Sequence, residues 1–284
     1  MKVLVFGATG MLGHAVMRRL SEKPGLDVYG TIRSGTPPRQ LDHLARDHFI
    51  SGVDVLHFDS LVSAMNTVRP DVVINCIGVI KQAKTANDPL VMLPINSMLP
   101  HRLNELCRLN GARLVHVSTD CVFDGKDGGY TEQNVGNATD LYGVSKRLGE
   151  VTEHDSVTLR TSIIGHELGS KDSLIEWFLD QEGKIKGFTK AIFSGLPTVE
   201  LADVIRDFVL PNPNVTGLYH VAAQPVSKFD LLTLVSRAYG KTIEITPDQS
   251  LVIDRSLDGS SFEEATGYKS EPWPELVQRM FEFR

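Results

Sequence analysis

The sequence predicts an α/β fold built on a doubly wound parallel sheet, with a smaller C-terminal domain. Over the first 165 residues, short β-branched runs alternate with longer amphipathic stretches, which is the pattern of βαβ units. Continuous apolar runs such as 72–74 indicate strands buried on both faces, as in a parallel sheet covered by helices. After Gly165 this alternation weakens and glycine becomes frequent. We therefore expect one domain over 1–165 and a second region over 166–284, some segments of which return to the first.

The individual elements follow from the spacing of apolar residues. The first strand is expected over 2–6, and a helix over 11–21 has Leu12, Val16 and Leu20 on one face. Further strands are expected over 28–32, 53–58, 72–77, 114–118, 158–164 and 243–245, and further helices over about 61–68, 96–109, 140–153, 228–239 and 273–281.

Composition excludes several classes of function. The chain has 284 residues with 29 Lys and Arg against 35 Asp and Glu, and the net charge of −6 disfavours a broad surface for nucleic acid or anionic lipid. Three cysteines far apart, without Cys-x-x-Cys, predict neither disulfides nor a metal site. No apolar run is long enough for a signal peptide or a membrane span. A cytoplasmic protein is expected, and a homodimer is one assembly that the sequence leaves open.

Three glycines at the spacing G-x-x-G-x-x-G lie between the first strand and the first helix. A dinucleotide requires a tight turn there, close approach of the backbone to the pyrophosphate, and a helix N-terminus whose unpaired N–H groups point at phosphate. The glycines could serve a structural turn alone, but their place between strand and helix favours a dinucleotide site. The residues expected at the cofactor are Gly7, Thr9, Gly10, Met11, Leu12 and Gly13.

The end of the second strand distinguishes NAD from NADP. A carboxylate there binds the ribose 2′-hydroxyl of NAD, whereas a cation pairs with the 2′-phosphate of NADP. Asp27 has the nominal spacing for NAD but precedes the strand, at the wrong edge of the sheet. The strand's exit carries Arg33 and Ser34 and no acid, which favours NADPH, with NADH as the alternative and a solvated loop as the other interpretation of Arg33. Asp59, after the run 53–58, is expected either to accept from the adenine amino group or to cap the next helix.

Tyr142 and Lys146 lie four residues apart, on one face of a predicted helix. A phenol with a pKa near 10 is a poor acid–base catalyst at neutral pH, and an adjacent ammonium lowers that pKa. The same lysine can bind a ribose. Because this pair also occurs by chance on helix surfaces, the supporting observation is Ser118 and Thr119, which end a buried strand about twenty residues upstream and could hold a substrate carbonyl.

Taken in order, these motifs resemble an extended short-chain dehydrogenase/reductase. They are G-x-x-G-x-x-G at 7–13, Val-Ile-Asn-Cys-Ile-Gly at 73–78, Ser-Thr-Asp at 118–120, Y-x-x-x-K at 142–146 and Leu-Arg-Thr-Ser at 159–162. Ser-Thr-Asp-x-Val-Phe-Asp-Gly at 118–125 is most similar to the dTDP-4-dehydrorhamnose reductases.

This resemblance implies a Rossmann-type domain with a C-terminal substrate domain. It implies NADPH-dependent reduction of the C4 ketone of a nucleotide-diphospho-4-keto-6-deoxy sugar, for deoxysugar or polysaccharide biosynthesis. The catalytic residues would be Thr119, Tyr142 and Lys146, with Tyr142 donating the proton while nicotinamide delivers hydride. The motifs also imply that Cys76, Ile77 and Gly78 lie beside the cofactor, and that Asp120 and Cys121 lie beside the substrate. Trp177, which belongs to no motif, is expected at the substrate as a stacking aromatic residue.

Three alternative functions remain to be weighed. Sugar-nucleotide dehydratases carry Asp-Glu where this chain has Asp120 and Cys121, so their general base is missing. A bifunctional epimerase/reductase would use Cys121 and His166 to move protons at C3 and C5, but a thiol in this context is more often a small buried hydrophobe and the histidine a loop residue, which favours the reductase. A non-catalytic NAD(P)-binding regulatory subunit would have no need of the phenol.

A nucleotide sugar offers a base for stacking and a diphosphate for cations. Each candidate side chain after Gly165 also fits a packed core or a solvated surface. The candidates are the aromatic residues Trp177, Phe178 and Phe188 and the cations Lys184, Lys186, Lys190 and Arg255.

Overall fold

A parallel sheet of seven strands lies at the centre of the part of the chain that the structure describes. The structure is a computed structural model and describes residues 1–33, 35–83, 85–169 and 171–284. Its strands are β1 (Lys2–Phe6), β2 (Asp27–Ile32), β3 (Phe49–Ser51), β4 (Val72–Asn75), β5 (Arg113–Thr119), β6 (Val157–Thr161), β7 (Ile163–Ile164), β8 (Lys184–Phe188), β9 (Ala191–Phe193), β10 (Leu196–Pro197), β11 (Gly217–His220), β12 (Val226–Ser227), β13 (Glu244–Asp248) and β14 (Ile253–Asp254).

The central sheet has the strand order β11, β6, β5, β4, β1, β2, β3, with all neighbours parallel. This order confirms the predicted doubly wound parallel sheet. From β1 the sheet is extended first on one side, by β2 and β3, and then on the other, by β4, β5 and β6, so the strand order reverses between β1 and β4. In α/β sheets, ligands bind in the crevice at the carboxyl ends of the strands where this reversal occurs. β11 comes from the C-terminal half of the chain and forms an edge of the sheet beside β6.

Helices cover both faces of the central sheet. They are α1 (Met11–Ser21), α2 (Phe58–Val68), α3 (Pro89–Met92), α4 (Leu99–Asn110), α5 (Leu141–Leu148), α6 (Leu174–Asp180), α7 (Thr198–Val204), α8 (Lys228–Ala238), α9 (Ser260–Thr266) and α10 (Trp273–Glu282). A π-helical turn, Leu93–Met98, joins α3 to α4, and another, Ile205–Val209, follows α7. Within the described ranges, no helix has the length and apolar character needed to cross a membrane.

Strand β1 shows why the sheet is buried on both sides. Successive side chains of a strand point to opposite faces. Val3 and Val5 accordingly join the hydrophobic cluster on the side of α1, α7, α8 and α10, whereas Leu4 and Phe6 join the cluster on the side of α2 and α4. An apolar residue at every position of 3–6 is what a strand covered by helices on both faces requires.

Small sheets in the second half of the chain lie outside the central sheet. β9 pairs with β12 and β14, β8 pairs with β13, and β7 pairs with β10. Most of their residues come from beyond Gly165, the region for which the sequence predicted more irregular structure.

The strand predicted over 53–58 is wrong. The third strand of the central sheet is β3, and Asp54 instead begins a turn by accepting a hydrogen bond from the Leu56 amide at 3.0 Å. Helix α2 then begins at Phe58. The alternation of Val53, Asp54 and Val55 mimics the start of a strand, but the Asp54 side chain stabilises a turn that periodicity cannot detect.

Candidate active site

A cavity of about 790 Å³ opens at the carboxyl ends of β1, β4 and β5. This volume lies within the range of small-molecule and cofactor sites, and the cavity lies at the crevice where the strand order reverses. Most of the predicted site residues line it: Thr9, Gly10, Met11, Leu12, Cys76, Ile77, Gly78, Thr119, Asp120, Cys121, Tyr142 and Lys146.

The glycine loop between β1 and α1 has a shape that side chains would prevent. Gly7 has φ +85°, and a Cβ on Gly13 would lie 1.9 Å from the Gly7 carbonyl oxygen. Both glycines therefore shape the loop, although neither lines the cavity. A Cβ on Gly10 would meet nothing closer than 3.5 Å, so the loop leaves open space in front of the first turn of α1. Those first amides have no intrahelical acceptors, and the cradle fits a diphosphate.

Two buried asparagines fix the segment that follows β4. Asn75 Oδ1 accepts from the Ile77 amide at 3.1 Å, and Asn96 Oδ1 accepts from the Val79 amide at 2.8 Å. Asn96 also donates to the carbonyl oxygen of Val79 and to Ser145 Oγ, at 3.0 and 3.2 Å. It therefore connects the cofactor side of the cavity to α5. Asn96 was not identified from the sequence. The available signal was an amide side chain at the first position of the helix predicted over 96–109.

Close packing of α5 against the turn after β5 brings Tyr142 to Thr119. Asp140 caps α5 by accepting from the Gly143 amide at 3.0 Å. A Cβ on Gly143 would lie 2.3 Å from the carbonyl oxygen of Cys121, so glycine is needed where the helix meets this turn. The Thr119 hydroxyl lies close enough to the Tyr142 phenol to affect its pKa.

Lys146 is a buried residue of the cavity wall. Its side chain is only 5% exposed, and Nζ donates to the carbonyl oxygen of Val117 at 2.8 Å. Burial lowers the pKa of Lys146 to about 8, and the negative charge of Glu150 acts in the opposite direction.

The predicted influence of Lys146 on Tyr142 differs from what the structure shows. Burial raises the pKa of Tyr142 above its usual range, with nearby Cys121 and acidic groups acting in the same direction and Thr119 opposing them. The Lys146 ammonium is directed at the backbone of β5. Desolvation therefore outweighs the expected charge effect, and Tyr142 is held in the protonated form that a proton donor needs.

Asp120 and Cys121 follow Thr119 in a short 3₁₀ turn, Asp120–Val122. The Thr119 hydroxyl donates to Asp120 Oδ1 and accepts from the Cys121 amide, both at 3.1 Å. Burial raises the pKa of Asp120, and it raises the pKa of Cys121 to about 12. Cys121 is therefore a thiol at neutral pH, which disfavours its use as a base.

Besides Gly7 and Gly13, three predicted site residues within the described ranges do not line the cavity: Arg33, Asp59 and Trp177. Arg33 is exposed immediately after β2, and Ser34 lies outside the described residues. Asp59 lies in the first turn of α2 instead of at a strand end, because the strand expected before it does not form. Trp177 on α6 is 41% exposed and does not line the cavity. The binding roles of these residues stay predictions.

His166 is occupied by protein partners. Its Nδ1 lies 2.7 Å from Glu176 Oε1, and its Nε2 lies 2.8 Å from the Tyr239 hydroxyl. Both ring nitrogens are thereby used, and His166 does not line the cavity. The imidazole is not placed to exchange protons with a bound sugar.

The other predicted substrate residues divide between core, surface and cavity. Phe178 is fully buried in the core, and Lys184 and Lys186 form exposed ion pairs with Glu244 and Asp248. Arg255 does line the cavity, together with Lys228, which sequence reasoning missed.

Arg255 and Lys228 are available to a ligand. Arg255 Nε donates to the carbonyl oxygen of Phe123 at 2.8 Å, which holds the guanidinium beside the turn after β5. Lys228 is the first residue of α8. Within the described ranges, no carboxylate lies within ion-pair distance of either cation. Only the fold could reveal this pair, because the two residues are 27 positions apart in sequence.

Comparisons with known proteins agree with this architecture. A relative from Haloferax volcanii, named a probable low-salt glycan biosynthesis reductase, is 28% identical over 79% of this chain and 75% of its own length. The methionine adenosyltransferase 2 subunit beta of Mus musculus is 23% identical over 98% of this chain and 89% of its own. The solved structure of a dTDP-4-dehydrorhamnose reductase from Bacillus anthracis in complex with NADP has a TM-score of 0.80 and covers 99% of this chain and 98% of that chain. At 21% identity that likeness shows the fold.

The family match covers almost the whole chain. The family model described as the RmlD substrate binding domain matches residues 1–282. The match takes in the glycine loop, the catalytic candidates and the C-terminal cations. The protein therefore belongs to the RmlD substrate-binding-domain family.

Proposed function

We propose that the protein is an NADPH-dependent reductase of the C4 ketone of a nucleotide-diphospho-4-keto-6-deoxy sugar, acting in deoxysugar or polysaccharide biosynthesis. The observation that carries this proposal is the meeting of Thr119, Tyr142 and Lys146 on one cavity whose other wall is the glycine loop. Membership of the RmlD family supports it, as does the NADP held by the structurally similar reductase of Bacillus anthracis.

The side chains around the cavity can divide the reaction between them. NADPH, when bound, would supply the hydride, and the glycine loop and the first amides of α1 would hold its diphosphate. The single proton of the Thr119 hydroxyl, donated to Asp120 Oδ1 in this structure, turns to the ketone oxygen and orients it, and Tyr142 transfers its phenolic proton to that oxygen. The Lys146 ammonium stabilises the phenolate that remains and binds the nicotinamide ribose.

The substrate diphosphate is assigned to Lys228 and Arg255. Both line the cavity, and the charges of both are felt at Asp120, next to the catalytic threonine. A protein with a net charge of −6 has to bind a dianion through such local cations. The three cysteines are free, in keeping with the reducing cytoplasm in which we place the enzyme.

Tyr142→Phe tests the assignment. Removing the only proton that the phenol can give should lower kcat by roughly three orders of magnitude, measured as loss of NADPH absorbance with a panel of 4-keto-6-deoxy sugar nucleotides. NADPH binding, followed by fluorescence titration, should change little because the ring stays in place. Tyr219→Phe, on β11 and outside the cavity wall, is the matched control. Near-normal turnover by Tyr142→Phe would refute the proposal.

A non-catalytic regulatory subunit is the second candidate, because relatives named methionine adenosyltransferase 2 subunit beta match most of the chain. The same assay distinguishes the two functions. A wild-type protein that binds NADPH but turns over no member of the panel would favour the regulatory function. The epimerase alternative is weaker, since both nitrogens of His166 are occupied and Cys121 stays protonated.

A further inference from the structure

The last residues of β5 make successive contacts with the segment that carries the catalytic lysine. The carbonyl oxygen of Val117 accepts from Lys146 Nζ at 2.8 Å. The hydroxyl of the next residue, Ser118, donates to Glu150 Oε1 at 2.7 Å. Thr119 then faces the catalytic tyrosine. Glu150 is therefore part of the same contact row as the catalytic residues, although it does not line the cavity.

Arg160 on β6 holds the Glu150 carboxylate with two hydrogen bonds. Arg160 Nε and Nη2 donate to Glu150 Oε1 and Oε2, both at 2.7 Å, and the two side chains are 5% and 8% exposed. The sheet register places Arg160 between Ser118 on β5 and His220 on β11. His220 Nδ1 donates to the carbonyl oxygen of Tyr130 at 2.9 Å, which leaves Nε2 to accept from Arg160 Nη1 at 3.3 Å. All three guanidinium nitrogens of Arg160 and both carboxylate oxygens of Glu150 thus have hydrogen-bond partners.

A buried ion pair contributes little to stability by itself, because desolvating two charges offsets their attraction. The position of this one beside Lys146 suggests a different use. Within the described ranges, no carboxylate lies within ion-pair distance of Lys146, and its Nζ donates to the neutral carbonyl oxygen of Val117. Of the charges that act on Lys146, Glu150 is the one that favours the ammonium, against the effect of burial.

We propose that Glu150 is a positioning residue for the reaction: its carboxylate, fixed by Arg160 and Ser118, balances the charge of the buried Lys146 and so keeps the catalytic ammonium in place. This role rests on the proposed reductase function. Glu150 touches neither substrate nor cofactor in it, and acts through Lys146.

Other titratable groups also face this charge pair. Arg160 and His220 approach Glu150 from β6 and β11. His116 approaches Lys146 from β5, and its pKa is held well below the usual range by burial, so it is neutral. His101 on α4 donates toward the carbonyl oxygen of Leu148 from the far side. Glu150 is therefore the carboxylate beside the cations Lys146 and Arg160, while the Glu132 carboxylate lies on the other side of His220 and accepts from its backbone amide at 2.8 Å.

The direct test is the titration of the Lys146 side chain, followed by NMR on protein with ¹³C-labelled lysine and assigned with Lys146→Met. In Glu150→Gln the pKa of Lys146 should fall by about one unit, the lower end of the effect of one nearby opposite charge. Glu105→Gln is the matched control, because Glu105 pairs with Arg108 on the exposed face of α4. Its Lys146 titration should equal that of the wild type. An unchanged Lys146 pKa in folded Glu150→Gln would overturn the proposal.

A second variant covers the case in which Glu150→Gln leaves Arg160 unpaired and does not fold. Glu150→Gln/Arg160→Met removes both buried charges, and a smaller downward shift is expected, because the loss of the Arg160 cation partly offsets the loss of Glu150, whose charge has the larger effect on Lys146. A wild-type titration in that variant would equally overturn the proposal.

The pH dependence of kcat separates this role from a structural one. The alkaline loss of activity should begin about one pH unit lower in Glu150→Gln, whereas Glu150→Asp, which keeps the charge, should retain the wild-type profile at a reduced kcat. The NMR titration needs no substrate. Absence of turnover in the wild type would refute the proposed function, while the Lys146 titration alone decides the role of Glu150.

Discussion

Lys146 shows how burial sets the pH range in which a proposed catalytic group keeps its proton. Its ammonium is buried against the backbone of β5. This burial lowers the pKa of Lys146 to about 8, from an ordinary value near 10.4. Tyr142 is affected in the opposite direction, since burial disfavours its anion. At neutral pH both groups therefore carry the proton that the proposed ketone reduction requires.

Activity should fall on the alkaline side as Lys146 loses its proton. Because the pKa of Lys146 is lowered to about 8, kcat should be constant below that pH and decline about tenfold per unit above it. Steady-state rates between neutral pH and the alkaline limit measure this. Lys146→Arg, which stays charged, should be slower but lack the decline. A wild-type profile that stays flat to the ordinary lysine pKa would contradict the assignment.

Arg33 tests the cofactor preference at a single residue. Arg33 is exposed at the carboxyl end of β2. Asp27 lies at the amino end of β2, opposite Lys2 of β1 in the strand register, so it is at the wrong edge of the sheet for the cofactor ribose, as the sequence predicted. Arg33→Asp should shift the ratio of kcat/KM for NADPH and NADH towards NADH by about tenfold, since a carboxylate repels the 2′-phosphate. Arg237→Asp, on the exposed end of α8, makes the same charge change elsewhere and should leave the ratio unaltered. An unchanged ratio in Arg33→Asp would show that Arg33 does not determine the preference for NADPH.

Among the elements, the β1–α1 junction is constrained most tightly. The helix can approach the strand only because residue 13 has no side chain. In a dinucleotide-binding loop, the third glycine is the one that allows the helix to pack closely on the strand.

Gly13→Ala should therefore impair cofactor binding and stability together. Its Cβ would lie 1.9 Å from the Gly7 carbonyl oxygen, so α1 has to move and its first amides with it. We expect at least tenfold weaker NADPH binding by calorimetry and a destabilisation of about 2 kcal/mol in urea unfolding. Gly259→Ala, where a Cβ would meet nothing closer than 3.5 Å, is the control. Wild-type affinity in Gly13→Ala would show that the loop is not the cofactor cradle.

At the scale of the whole molecule, a buried carboxylate connects the N-terminal and C-terminal halves. Asp203 on α7 accepts from Arg19 of α1 at 2.7 Å and pairs with Arg206 at 2.8 Å and with Arg279 of α10. It is 7% exposed. Helices far apart in the sequence are thereby held on one face of the central sheet.

Asp203→Ala should destabilise the fold without altering the chemistry. Leaving three arginines around an empty position costs about 3 kcal/mol, measured by urea unfolding, and kcat at low temperature should stay near the wild-type value. Asp180→Ala removes an exposed pair with Lys171 and should cost under about 1 kcal/mol. Equal effects of the two variants would show that the Asp203 network does not join the two halves.

The sequence alone determined the parts of this protein whose requirements are local. The glycine loop, the bounds of β1 and α1, and the spacing of Tyr142 and Lys146 depend on steric demands within a few residues, and the structure has them at the predicted positions. The alternation of apolar runs also predicted the parallel sheet, because burial on both faces leaves a continuous pattern.

Only the tertiary structure decided which distant groups meet. Asn96 behind the cavity, the Lys228 and Arg255 pair, the occupied ring of His166 and the contact of Glu150 with Arg160 all join residues that the sequence keeps apart. Strand register and helix packing create these contacts, and a spacing rule has no access to either. The physical reason is that steric limits and periodicity act between residues close in sequence, whereas burial and charge pairing act between residues close in space.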